Sequence, residues 1–385
     1  MLELLFLLLP VAAAYGWFMG RNSVRNEQRK EQERFSKNYV AGINLLLSEE
    51  SDKAVDLFIE MLDVDSETIE THWTLGKLFR RRGEVERAIR IHQNLISRPS
   101  LSEKDRHYAM FELGQDYLAA GLYDRAEKML TELQRHSSYR QESQRALLAL
   151  YESTNEWDKA IKVALRISRN DKSILPVVAQ LYCELADGQE DAENSLKFYE
   201  KALKHDRACV RARLACGRWW SGQKKHAKAL QYLQPIGEFE PDFLSEALPL
   251  IQDCYYGLDD RQGFVSFLHE VVASKPVATA VTMLADIIAK ENDNATAEQF
   301  LRTSLNTNPT MKAFHKLIDL HIQDADEGKA RESLVMLKKM VREQMKQRST
   351  YRCRHCGFSS QTLFWHCPSC KAWSTIKPTR GLDGE

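Results

Sequence analysis

Small and large apolar residues recur along this chain in a register that matches neither the alternation of a strand nor the unbroken apolar run of a buried segment. A unit starting at Phe35 places Gly42, Ala54 and Phe58 at its positions 8, 20 and 24. A unit starting at Ile69, 34 residues later, places Leu75, Gly76, Phe79, Ala88 and Leu95 at positions 7, 8, 11, 20 and 27. After an insertion around Pro99 to Glu103 the register resumes near His107, with Leu113, Gly114, Tyr117, Ala126, Leu130 and Leu133. Units follow from Gln141 (Leu148, Tyr151, Ala160, Ala164, Ile167), Pro176 (Cys183, Ser195, Tyr199, Ala202) and Val210 (Gly217, Trp220, Ala229, Leu233, Ile236, Pro241). Two more start near Leu244 (Gly263, Phe267) and Ala278 (Ala285, Ile288, Ala297, Leu301, Pro309), and a weaker pair from about Lys312 to Val341 caps the series. Helices with three to four residues per turn explain this spacing. Small residues at 8 and 20 let two antiparallel helices approach, and larger residues at 7, 11, 24 and 27 fill the space around them.

The register resembles that of tetratricopeptide repeats. The resemblance implies an all-α fold, a superhelical solenoid of about nine helix pairs over residues 35–345 with a long concave groove suited to proteins or peptides. In that reading the aromatic residues at consensus positions are packing residues.

A second hydrophobic pattern opens the chain. Leu2 to Met19 carries one charge, Glu3, and at about 1.5 Å per residue this stretch spans roughly 27 Å, enough for one crossing of a bilayer core. A cleaved signal peptide carries its positive charge ahead of the apolar run. Here Arg21, Arg25, Arg29, Lys30 and Arg34 all come after it, so the positive-inside rule predicts an uncleaved single-pass anchor with the short N-terminus outside and the body and C-terminus in the cytoplasm. The expected organisation is a transmembrane anchor at 1–20, a basic juxtamembrane segment at 21–34, the helix pairs at 35–345, a metal-binding module at 350–378 and a tail at 379–385.

Composition supports the helical reading, since 10 Pro and 17 Gly among 385 residues are too few for a turn-rich β protein. The 54 basic residues match 54 acidic ones, which excludes a basic nucleic-acid coat or an acidic solvating tail as the whole protein. Catalytic motifs are missing: there is no phosphate loop, no dinucleotide fingerprint and no nucleophile elbow, and His269-Glu270 lacks the second histidine of a zincin site. The chain therefore reads as non-enzymatic. Arg80, Arg81 and Arg82 read as a solvated turn between two helices, with a contact for anionic lipid or an acidic segment as the alternative.

The eight cysteines divide into two groups. Cys183, Cys209, Cys216 and Cys254 have no recurring spacing and read as core residues of a reducing compartment. Cys353, Cys356, Cys367 and Cys370 form two Cys-x-x-Cys turns, each of which presents two thiolates on backbone amides, and together they predict a tetrahedral four-sulfur site for one Zn or Fe ion. His355 and His366 read as neighbours of the ligands. Phe358, Phe364, Trp365 and Trp373 are expected to shield the sulfurs and to pack the module onto the last helices. A basic stretch runs from Lys338 through Lys339, Arg342, Lys346, Arg348 and Arg352 to Arg354 against one acid, Glu343. It favours an acidic protein or anionic headgroups over nucleic acid.

The two cysteine turns resemble rubredoxin knuckles. The anchor, the repeats and the knuckle pair, in this order, are similar to the lipopolysaccharide assembly protein B family of Gram-negative bacteria. That resemblance implies an inner-membrane adaptor that regulates lipopolysaccharide biosynthesis. It would promote proteolysis of the lipid A pathway deacetylase by the membrane AAA+ metalloprotease and link synthesis to lipopolysaccharide transport and regulatory membrane proteins. It also implies that Cys353, Cys356, Cys367 and Cys370 are the family's rubredoxin-type metal ligands and that Leu2 to Met19 is its anchor. A homodimer is compatible with the sequence. The alternatives are an iron-binding redox protein or metal sensor, and a general envelope-assembly scaffold.

Overall fold

The computed structural model describes residues 69–99, 101–274, 277–382 and 384–385, together with Trp17, Met19 and Ala41. Apart from those three residues, the expected anchor, the basic segment 21–34 and the helix pair from Phe35 lie outside the described residues. No helix among the described residues is long and apolar enough to cross a membrane. The chain divides into two compact units, residues 1–150 and 151–385.

In the first unit, helices α1 (Ile69–Arg82) and α2 (Val85–Ser97) form one pair and α3 (Glu103–Ala119) and α4 (Tyr123–Leu133) the next. Helix α5 (Arg140–Ser153) carries the division between the units. Phe79, Ala88, Ile91, Leu95 and Ala109 form a buried cluster with Trp73, Leu75 and Ile96 packed on it. Part of the insertion before the third repeat becomes helix: Ser102 caps α3 by accepting from the Asp105 amide at 3.2 Å, so α3 gains a turn at its start.

The position-8 glycines are needed for close approach, but their partner differs from expectation. A Cβ on Gly76, Gly114 or Gly217 would lie within 3.0 Å of His92, Leu130 or Leu233, all of which sit at position 24 of their repeats, not position 20. Gly217→Ala is therefore expected to overpack Leu233, which is fully buried, and to cost about 1–3 kcal/mol. A Cβ on Gly222 would meet nothing within 4 Å, and Gly222→Ala is expected to gain about 0.4–1 kcal/mol. Urea unfolding of the two variants checks the opposite signs.

One turn design joins the helices of five pairs. Gly83 and Gly121 have φ of 83° and 72°, and Asn155, Lys224 and Asp259 hold the same left-handed conformation at 57–58°. The following amide closes back on the helix each time: Glu84 on the Phe79 carbonyl, Leu122 on Tyr117, Glu156 on Tyr151, Lys225 on Trp220 and Asp260 on Tyr255, at 2.9–3.0 Å. The aromatic residue near position 11 thus packs through its ring and ends its helix through its backbone.

In the second unit, α6 (Trp157–Ile167) is followed by the pairs α7 (Leu175–Asp187) with α8 (Ala192–His205) and α9 (Val210–Gly222) with α10 (His226–Leu233). The second helix of that pair breaks early, because Pro235 has no amide to continue it, and a short helix α11 (Ile236–Phe239) completes the span. Then come α12 (Leu244–Gly257) with α13 (Arg261–Ser274), α14 (Ala278–Glu291) with α15 (Asn294–Thr307), and α16 (Met311–Asp324) with α17 (Lys329–Gln347). Phe243 and Phe264 belong to an extensive buried cluster of the second unit, and Cys183, Cys209, Cys216 and Cys254 are all buried. Burial pushes the Cys216 thiol up to about 12, in keeping with a core role. The chain ends in a small antiparallel sheet of order β2-β1-β3, from β1 (Tyr351–Cys353), β2 (Ser359–Ser360) and β3 (Ile376–Pro378).

Candidate metal centre

Strand β1 delivers Cys353 to the end of the sheet, where it pairs with Ile376, and Gly357 (φ 80°) turns the chain back after Cys356. Lys371, also left-handed at φ 57°, turns the second knuckle after Cys370, and the amide of Cys367 bonds the Ala372 carbonyl at 3.0 Å. These turns bring all four sulfurs within 4.8 Å of one another. Cys353 and Cys370 stand 3.8 Å apart, and Cys356 and Cys367 3.7 Å. Metal–sulfur bonds of about 2.3 Å at tetrahedral angles put neighbouring sulfurs about 3.8 Å apart, so the four fit one thiophilic ion.

The electrostatics fit a cation as well. Burial pushes the Cys353 thiol up, but the Thr375 hydroxyl and the amides of Cys356 and His355 outweigh it and hold the thiol down at about 6. The Phe358 amide favours the Cys356 thiolate in the same way. The Ala372 amide favours a thiolate at Cys370 too, yet desolvation and the neighbouring sulfurs drive that group up to about 12. Four anionic sulfurs at this spacing need a positive charge at their centre.

Only part of the expected aromatic shield surrounds the sulfurs. Phe358 packs beside Cys353 and Cys367, in company with Ile376, Leu363 and Tyr351. Phe364 is 40% exposed and meets the edge of Phe358. Trp365 instead stacks on Phe243 at 5.5 Å, and Trp373 meets Trp157 edge-on at 6.4 Å and donates from Nε1 to Glu152 at 3.0 Å. His366 stacks on Trp373 and its Nε2 lies 2.9 Å from the Lys371 carbonyl, so this ring is engaged away from the sulfurs. The tryptophans therefore dock the module on helices well before the end of the second unit, while Gln361 reaches the last helix by donating to the Lys346 carbonyl at 3.2 Å.

Polar contacts fix that docking. The Tyr351 hydroxyl donates to Glu246 at 2.6 Å, Lys377 to Glu240 at 2.6 Å and Arg354 to Asp242 at 2.7 Å, while Arg380 also pairs with Asp242. At the far end Glu385 accepts from the amide and hydroxyl of Thr279 at 2.9 and 2.8 Å and pairs with Lys312. The acids Glu240, Asp242 and Glu246 were not singled out from the sequence, although three carboxylates in seven residues beside Phe243 were a usable signal. The basic stretch is partly satisfied within the chain: Lys338 pairs with Asp319, Lys346 with Glu343 and Arg354 with Asp242.

Within the arginine triplet, Arg81 and Arg82 are exposed as expected, and Arg80 departs from expectation. Arg80 lies at the end of α1 and reaches Glu112 and Asp116 of α3, both at 2.7 Å, and Asp116 in turn meets His92. Asp116 and His92 are fully buried, so this is an interior ion network, not a solvated turn.

Comparison with known proteins adds to the geometry. Residues 351–378 match the family model of the rubredoxin metal binding domain, and residues 75–106 and 111–173 match models of the tetratricopeptide repeat. Over 388 residues, and over the whole of both chains, the sequence is 46% identical to lipopolysaccharide assembly protein B of Escherichia coli K12. It is 37% identical over 393 residues to lipopolysaccharide assembly protein B of Haemophilus influenzae, with 98% of each chain covered. A solved tetratricopeptide repeat protein from Parabacteroides merdae aligns with 66% of this chain and 99% of its own at 14% identity and a TM-score of 0.33.

Proposed function

This chain belongs to the lipopolysaccharide assembly protein B family, and from that premise we propose that it is a membrane-tethered, non-enzymatic adaptor of lipopolysaccharide assembly. In this reading it brings the lipid A pathway deacetylase to a membrane AAA+ metalloprotease and meets transport and regulatory proteins at the same membrane. The observation that carries the reading is the combination, over full length, of helix-pair repeats with a docked rubredoxin-type module. Stacked helix pairs of this kind present extended surfaces suited to protein partners.

Cys353, Cys356, Cys367 and Cys370 hold one zinc or iron ion in this proposal, and the ion supplies the folding energy that a module of this size cannot draw from its own core. The ribbon then holds Glu152, Phe243 and Glu246 of the second unit, and Glu385 of the tail that follows it holds Thr279 and Lys312. Absorption in the visible distinguishes an iron site, which is coloured when oxidised, from a colourless zinc site.

Leu2 to Met19 is the proposed anchor, and its role is to raise the concentration of bound deacetylase near the protease so that modest affinities suffice. Deleting these residues is expected to leave a folded protein that no longer shortens the deacetylase half-life in cells. Pulse-chase of the deacetylase, with the deletion variant supplied at wild-type level, tests this; unchanged rapid turnover would overturn the tethering step.

A further inference from the structure

We propose that Glu103, His107 and His136 form a second metal site, separate from the cysteine centre, that takes one divalent transition ion of the imidazole-binding class, zinc first among them. Glu103 and His107 are one turn apart on the same face of α3, with the Glu103 carboxylate 4.0 Å from His107 Nε2. His136 follows α4, and its amide is fixed on the Leu133 carbonyl at 3.0 Å, which brings its ring against His107. The two imidazoles lie 3.8 Å apart between centroids at an interplanar angle of 36°. One ligand atom from each of the three residues falls within 4.8 Å of the others.

The donors suit this class of ion. Two imidazoles and a carboxylate match zinc, copper or nickel, and three protein ligands leave a position for water. No side-chain hydrogen bond engages either imidazole among the described residues, and the pairing with Glu103 is at the outer limit of an ion pair. The Glu103 side chain is 83% exposed and free to swing inward, whereas His107 is mostly covered at 12%. A bound ion would join the start of α3 to the third residue after α4, clamping this helix pair at its open end. Occupancy would follow free metal and stabilise the pair as it filled. The site is independent of the adaptor reading.

The test uses the tag-free full-length chain with its cysteine centre already loaded and excess metal removed. Calorimetric titration with Zn²⁺ is expected to show one further equivalent, and bound Cu²⁺ is expected to give an electron paramagnetic resonance spectrum with coupling to two imidazole nitrogens. His107→Ala and His136→Ala should each lose that equivalent while keeping the first ion and wild-type circular dichroism. Glu103→Gln, at an exposed position that does not threaten the fold, should weaken it. The proposal is overturned if no further equivalent binds, if it persists in both histidine variants, or if the copper spectrum lacks the nitrogen couplings.

Discussion

Cys367→Ser is expected to release the bound metal and to unfold residues 351–378 while the helices remain. Cys367 is fully buried, its sulfur is 3.7 Å from Cys356, and its amide and carbonyl brace the second knuckle. Structural four-ligand sites carry apparent binding energies of about 10–16 kcal/mol, far more than this short sheet can replace by burial. Metal analysis should find the ion gone. Tryptophan fluorescence gives an independent reading, because Trp365 would leave Phe243 and Trp373 would leave Trp157. Far-ultraviolet circular dichroism should stay strongly helical. Retention of the metal, or unchanged fluorescence after its loss, would contradict the proposed centre.

Arg80→Met is expected to cost the first unit about 3–5 kcal/mol, a large share of the stability of an ordinary domain. The substitution keeps the apolar stem and removes the cation, leaving the buried carboxylates Glu112 and Asp116 to Lys77 and His92. Burial pushes the Glu112 carboxyl up, but hydrogen bonding and charge from Arg80, and then Lys77, hold it below its ordinary value of 4.5. A carboxyl depressed on folding contributes stability that is complete above its unfolded value and is lost as pH falls through the folded one. The wild type should therefore lose this contribution only below pH 4.5. In the variant burial acts on Glu112 without Arg80, so the carboxyl takes its proton at higher pH. The gap between the two proteins should be widest at neutral pH and narrow towards acid. Urea titrations at both ends check the size and the sign.

Much of the helical architecture was legible because close approach of helices requires small residues at fixed intervals, and Gly76, Gly114 and Gly217 recur at that interval. The cysteine turns were legible because ligand spacing is local. Docking was not. Trp365 and Trp373 have the same composition and neighbours in sequence whether they face sulfur or helix, and their partners lie far away in the chain. The Arg80 network was hidden for a related reason: its carboxylates come 32 and 36 residues later, about one repeat on, so each charge looks like a surface residue when its own repeat is read alone. Comparing the same face in successive repeats would have found it.

The bond from Trp373 to Glu152 joins residues 221 positions apart, which sets an order of events during synthesis. Helix pairs close on near neighbours and can form as the chain leaves the ribosome, but the surface around Trp157, Phe243 and Asp242 must wait for the last residues made. Until the ribbon emerges and loads its ion, that surface is a bare patch of aromatic rings and acids. A chain released early, without its final segment, would carry the patch permanently, and chaperones and proteases would meet it as an unfinished protein.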